Sequence, residues 1–257
     1  ALELRGNFTQ IPPQIGNLTR LQRLYLVNCQ LTQIPAEIGN LSNLRDLHLG
    51  QNHLTQLPAQ IGNLSKLWRL QLYQNNLTDL PPEIGNLSSL QYLNLDHNQF
   101  TQIPTVLGNL TNLADLELNF NNELSGPIPA ELGNLTHLDT LSLAANHLTG
   151  PIPSWLGNMP NLVRINLAGN QLSGPIPTEL GNLTALVGLG ISSNQLTGEV
   201  PSSIMNLTNV GLGIESNCLS SSDTDIRAFL VAHEPYWYSD QTIPPTILSE
   251  QSHSSGR

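Results

Sequence analysis

The chain has 257 residues, of which 39% are hydrophobic and only 11% charged, with a formal net charge of −10. A single lysine, Lys66, and the lack of any basic run exclude the clustered positive surface that nucleic acid or an anionic membrane face requires. No apolar stretch reaches the roughly 20 residues needed to cross a bilayer, so membrane insertion of this chain is not expected.

The chain opens at Ala1, without a methionine and already inside a strand-like pattern. Further residues, such as a signal peptide or an N-terminal cap, are therefore expected to precede it in the natural protein. From there one pattern, L-x-L-x-x-N-x-L, recurs at 47–54, 70–77, 93–100, 141–148, 165–172, 189–196 and 212–219. Residues 24–31 fit with Cys29 at the asparagine position, 116–124 with one extra residue, and 2–8 with one fewer. The asparagine-position residues are Asn7, Cys29, Asn52, Asn75, Asn98, Asn121, Asn146, Asn170, Asn194 and Asn217, spaced 22 to 25 residues apart. Ten units at that period are the signature of a leucine-rich repeat. The expected fold is an α/β-type repeat solenoid: a horseshoe with short parallel strands on the concave face and loops and short helical turns on the convex face.

Within a unit, the Leu-x-Leu pair reads as a short strand with two core leucines. The asparagine then turns the chain inward, where its amide satisfies backbone groups that would otherwise be buried unpaired. Cys29 fills that slot as a small buried residue. Stacking at about 4.8 Å per strand puts Cys29 and Cys218 roughly 40 Å apart, too far for a disulfide.

The returning halves come in two kinds. Up to Asn98 they read Leu-Thr-x-Ile/Leu-Pro-x-x-Ile-Gly-Asn-Leu. From Asn121 onward a glycine enters, as in Gly126-Pro127-Ile128-Pro129, Gly150-Pro151-Ile152-Pro153 and Gly174-Pro175-Ile176-Pro177. Proline lacks a backbone donor, so these halves suit an outer extended segment followed by at most one helical turn. The 25-residue spacing from Asn121 to Asn146 combines Gly126 with an extra residue near Asn122 and Glu123, which predicts a bulge beside Phe120.

The second half resembles the plant-type extracellular leucine-rich repeat, L-x-G-x-I-P-x-x-L-G-N-L, of receptor ectodomains and of inhibitors of secreted polygalacturonases. The first half is similar to the 23-residue class of bacterial and intracellular repeat proteins. The stretch from Asn217-Cys218-Leu219-Ser220 through Ala228-Phe229-Leu230 to Trp237 resembles the C-terminal cap of bacterial surface repeat proteins. The resemblance implies a secreted or cell-surface location, with a cytoplasmic one as the alternative.

Ser222 or Asp223 is placed to cap a helix running to about His233, with Ile226, Phe229 and Leu230 as its apolar stripe. That stripe would close the open end of the core, and Tyr236, Trp237 and Tyr238 would pack over it. The organisation expected is therefore a solenoid over 1–221, a cap over 222–245 and a disordered or appended polar tail over 246–257. Ten N-x-S/T sequons occur, eight of them in the repeated Asn-Leu-Ser/Thr. Repeat consensus explains those eight, and glycans would follow only from a eukaryotic secretory route.

Function in such a fold is expected from side chains between and beside the strand leucines. The candidate binding residues on the concave face of the second to sixth units are Arg23, Tyr25, Asp46, His48, Arg69, Gln71, Tyr73, Tyr92, Asn94, Asp96, His97, Asp115, Glu117 and Phe120. Tyrosine and arginine are enriched at binding hot spots. The later units present mainly Gly, Ala and Ser. The plainer reading is a solvated face in which Arg23, Asp46 and Arg69 form a cross-strand charge ladder.

Asp46, His48, Asp96 and His97 lie on separated strands at no recognised ligand spacing, so no metal site is expected. Asp115 and Glu117 flank Leu116 on one face and read as a carboxylate pair or as acidic solvation. No phosphate loop or nucleophile elbow occurs, and neither a cofactor nor enzymatic activity is expected. The leading functional reading is a non-catalytic module binding a protein or peptide. An adhesive spacer and an inhibitor of a secreted hydrolase are the alternatives.

Overall fold

The structure is a computed structural model and describes residues 1–235. Each unit begins with a short strand whose leucine points inward between two outward side chains. Ten such strands, from Leu2–Glu3 to Gly211–Gly213, stack in parallel and in chain order. The register stays in phase, pairing Leu24 with Leu47, Leu47 with Leu70, Leu70 with Leu93 and Leu93 with Leu116. These leucines and their partners two residues on, such as Leu26 and Leu49, are buried in one continuous core that runs to Leu230. Burying each such side chain contributes about 1.5–3 kcal/mol, which is what holds so short a strand in a stack.

The asparagines form the second element of order. Asn52 accepts at Oδ1 from the N–H groups of Cys29 (3.1 Å) and Leu31 (3.0 Å). Its Nδ2 donates to the carbonyls of Leu26, Leu49 and Gly50. Asn75, Asn98, Asn121, Asn146, Asn170, Asn194 and Asn217 are buried in the same ladder. Cys29 occupies one rung, fully buried, with Sγ 3.3 Å from the Leu4 carbonyl. Burial pushes its thiol pKa up, which keeps it protonated and inert.

Beyond the ladder each unit but the last passes a proline in extended backbone and makes one five-residue 3-10 turn, such as Ala59–Asn63 after Pro58. The glycine in most of these turns marks a close approach between units. A Cβ on Gly62 would lie 2.3 Å from the Glu83 carbonyl oxygen.

Sequence periodicity did not anticipate a second sheet. Ser125–Gly126, His147–Gly150, Gln171–Gly174, Gln195–Glu199 and Cys218–Ser220 pair in parallel along the second half. Gly126, Gly150, Gly174 and Gly198 in these strands have φ between 80° and 89°, a conformation that other residues adopt only with strain. The first half has no glycine there, and among the described residues the second sheet begins only at Ser125.

The expected bulge is present at the junction. The Leu124 N–H turns back to the Asn121 carbonyl (2.8 Å), a turn not found in the other described units. Asn146 Oδ1 instead receives the Asn121 N–H at 2.7 Å. The terminal helix spans Thr224–His233, and its N-cap Asp223 accepts from the N–H groups of Asp225 and Ile226. Ile226 and Leu230 bury against the last units, as the apolar stripe predicts. The aromatic residues Tyr236, Trp237 and Tyr238 lie outside the described residues. No helix among the described residues is long and apolar enough to cross a membrane.

Candidate ligand-binding face

Strand register sorts the outward side chains into rows one rung apart. Arg23, Asp46, Arg69, Tyr92 and Asp115 form the first row, and Tyr25, His48, Gln71, Asn94 and Glu117 the second. Just past each strand come Gly50, Tyr73 and Asp96, then a residue in left-handed backbone: Gln51, Gln74, His97 and Phe120 have φ between 53° and 58°. That last conformation turns the chain towards the asparagine ladder. It recurs whatever residue occupies the site, so it is imposed by the stack.

All the candidate residues but Arg23 and Tyr73 fall into four groups. At the first, Asp46 is 5% exposed and receives the Tyr25 hydroxyl at Oδ2 (3.0 Å). His48 Nε2 approaches Asp46 Oδ1 to 2.8 Å, without the alignment of a hydrogen bond, so the contact is ionic when the imidazole is protonated. Tyr25 and His48 pack edge to face at 4.6 Å. Burial, then the bond to Asp46, raises the Tyr25 pKa.

The second group is centred on Arg69, whose guanidinium lies 4.7 Å from the Trp68 ring and 5.3 Å from the Tyr92 ring. The two rings meet edge to face at 5.4 Å. Here the expected charge ladder is corrected. Arg23, Asp46 and Arg69 do share a row, but the ion pairs among the described residues are His48–Asp46 and Arg5–Glu3. Stacking on two rings is the better arrangement for a weakly hydrated guanidinium, and it leaves Arg69 Nε buried with no hydrogen-bond partner. Trp68 was missed in the sequence because it precedes the strand, in a position the repeat leaves variable.

Asp96, Asp115 and Glu117 make the third group. Burial, then repulsion by Asp115 and Asp96, pushes the Glu117 carboxyl up to about 7. Asp115 and Asp96 are also raised, each chiefly by burial. Glu117 bonds the Asn94 amide, and Asp96 accepts the Asn119 N–H at 2.6 Å. Gln71 lines a small cavity with Tyr92, Asn94, Asp115 and Glu117. The fourth group is the His97–Phe120 stack at the rim. Tyr73 stands apart from these groups, its ring lying over Gly50, where a Cβ would come within 2.5 Å of it.

Asp46 and His48 thus sit two strands from Asp96 and His97. Among the described residues no group of three or more His, Cys, Asp or Glu is arranged to hold a metal ion. From Thr140 onward the rows carry Thr140 and Ser142, then Arg164 and Asn166, then Gly188 and Gly190, then Gly211 and Gly213.

Comparison with known proteins agrees with this architecture. No curated protein sequence matches the chain. The solved complex of the Arabidopsis receptor kinase HAESA with the peptide hormone IDA and the co-receptor SERK1 is similar over 83% of this chain, at 33% identity and a TM-score of 0.75. This chain covers only 36% of that one, about a third of its length. An internalin of Listeria monocytogenes is similar over 86% of this chain and 68% of its own, at 25% identity and a TM-score of 0.65. A plant ice-binding protein is similar over 89% of this chain and 75% of its own, at 27% identity and a TM-score of 0.68. The profile for a leucine-rich repeat region matches residues 36–173, and that for the single leucine-rich repeat matches 20–41 and 185–207. With its buried leucines, asparagine ladder and stacked strands matched over more than half its length, the chain belongs to the leucine-rich repeat family.

Proposed function

We propose that the protein is a non-catalytic recognition module, secreted or at the cell surface, that binds a protein or peptide on the concave face of its second to sixth units. The observation that carries this reading is the contrast along one regular scaffold. Arg69 between Trp68 and Tyr92, Tyr25 against His48, and the half-buried carboxylates all lie on five neighbouring strands. Apart from Arg164 and Asn166, the later strands offer mainly small residues, Gly, Ala, Ser and Thr. Rigid aromatic and guanidinium groups give large contact energy with little side-chain entropy left to lose, because the stack has already ordered them. The HAESA complex supports the class of ligand, since that receptor holds a peptide hormone.

The test is selection of a displayed peptide library on the purified protein, followed by affinity measurement on variants. Tyr92→Ala, Tyr73→Ala and Arg69→Ala are expected to weaken selected ligands by about 1–3 kcal/mol, the range of interface anchors. Ser142→Ala and Ser192→Ala should have much smaller effects. Losses confined to the later units would refute the placement.

A further inference from the structure

His97 and Phe120 occupy the left-handed position of neighbouring units, with φ of 53° and 56°. Their rings are parallel, 1° between planes and 4.6 Å between centroids. The corresponding residue of the next unit is Ala145, and Phe120 is left 49% exposed. A cavity of about 620 Å³ opens beside the stack. One side of it is the extra turn at the repeat junction, through Asn122 and Glu123, and the rim residues Gln99 and Thr101 also line it. The junction turn is what adds Asn122 and Glu123 to the lining at this rung.

We infer that this cleft, which shares His97 and Phe120 with the proposed binding face but lies at its rim, binds an uncharged saccharide whether or not the inner rows hold a peptide. The lining supplies amides, hydroxyls, an imidazole and one carboxylate, with no lysine or arginine and no aliphatic side chain. An acyl chain would lie on the ring stack and on side-chain carbons, but its length would desolvate the amides, hydroxyls and carboxylate of the lining. An anion would meet Glu123 with no opposing cation. A neutral pyranose satisfies both halves of the lining. Its C–H groups rest against the exposed carbon surface of the His97–Phe120 stack, while its hydroxyls accept from amide N–H groups and donate to amide and carboxylate oxygens. The volume falls within the roughly 300–1,000 Å³ of small-ligand sites and suits a short oligosaccharide.

Saturation-transfer NMR on the full chain with cellotriose, maltotriose, xylotriose and diacetylchitobiose tests this, with trigalacturonate as the anionic comparison. At least one neutral sugar should show transfer at its ring C–H protons. Phe120→Ala and Glu123→Ala should each lower its affinity about tenfold or more, with circular dichroism unchanged. Ser192→Ala should leave the affinity as it was. Transfer to trigalacturonate alone, transfer to none of the sugars, or affinity unchanged in Phe120→Ala would overturn the assignment. So would a rim that binds displayed peptides through Glu123 while every sugar fails.

Discussion

The buried amide of Asn75 offers a quantitative test of what holds the solenoid together. It is 5% exposed and accepts the Leu54 N–H at 3.0 Å. Its Nδ2 donates to the carbonyls of Leu49 (3.0 Å) and Leu72 (2.9 Å). The Leu49 carbonyl is also bonded by Asn52, and the Leu72 carbonyl by Asn98. Asn75→Ala therefore orphans one buried N–H outright and leaves both carbonyls with another amide. An orphaned buried donor costs about 1–3 kcal/mol and each weakened shared bond somewhat less, for a total of about 2–4 kcal/mol. Asn75→Cys should cost less than Asn75→Ala, because Cys29 shows a thiol directed at carbonyls in the same slot. Asn75→Asp should cost most. It keeps the acceptor but sets a buried carboxylate against two carbonyls. Urea denaturation followed by far-ultraviolet circular dichroism would rank the three variants. An Asp variant as stable as the Cys variant, or an Ala variant losing under about 1 kcal/mol, would refute the hydrogen-bond account.

Glu117 gives a pH prediction. Its folded pKa, about 7, lies above the ordinary 4.5, so between those values the folded state holds a proton that the unfolded state has released, and stability falls as pH rises through that window. Glu117→Gln should remove about 1–2 kcal/mol of that dependence, a figure reduced for partial solvent screening, and urea midpoints at pH 5 and pH 8 would check it. A glycine pair tests the close approach of the outer turns. Gly62→Ala should cost about 1–3 kcal/mol, since its Cβ would meet the Glu83 carbonyl at 2.3 Å. Gly133→Ala, whose Cβ would rest 3.5 Å from the Trp155 ring, should be near neutral in the same denaturation assay.

The repeat period, the buried leucines, the structural asparagines, a helix cap at Ser222 or Asp223 and the bulge beside Phe120 were all legible in the sequence, and the structure selects Asp223. Each rests on a local rule, such as alternation in a strand, an amide at a turn or a carboxyl at a helix start, that a recurring string of residues displays directly. The rows of outward side chains were legible too, because register follows once every strand carries its leucine at the same place. Which side chains within those rows meet is a different matter. Arg69 lies in a row with Asp46, yet it turns to Trp68 and Tyr92, because desolvation and ring geometry set its direction more than charge order does. Tyr73 can lie down only because the matching position of the neighbouring unit is Gly50. The raised Glu117 carboxyl depends on three acids brought together from neighbouring strands and on the water they lose. The second sheet needed several glycine-bearing units side by side before their strands could pair. Local residue choice therefore determined the scaffold, whereas contacts between rungs, which depend on burial and on neighbours about 23 residues away, were decided only by the stacked structure.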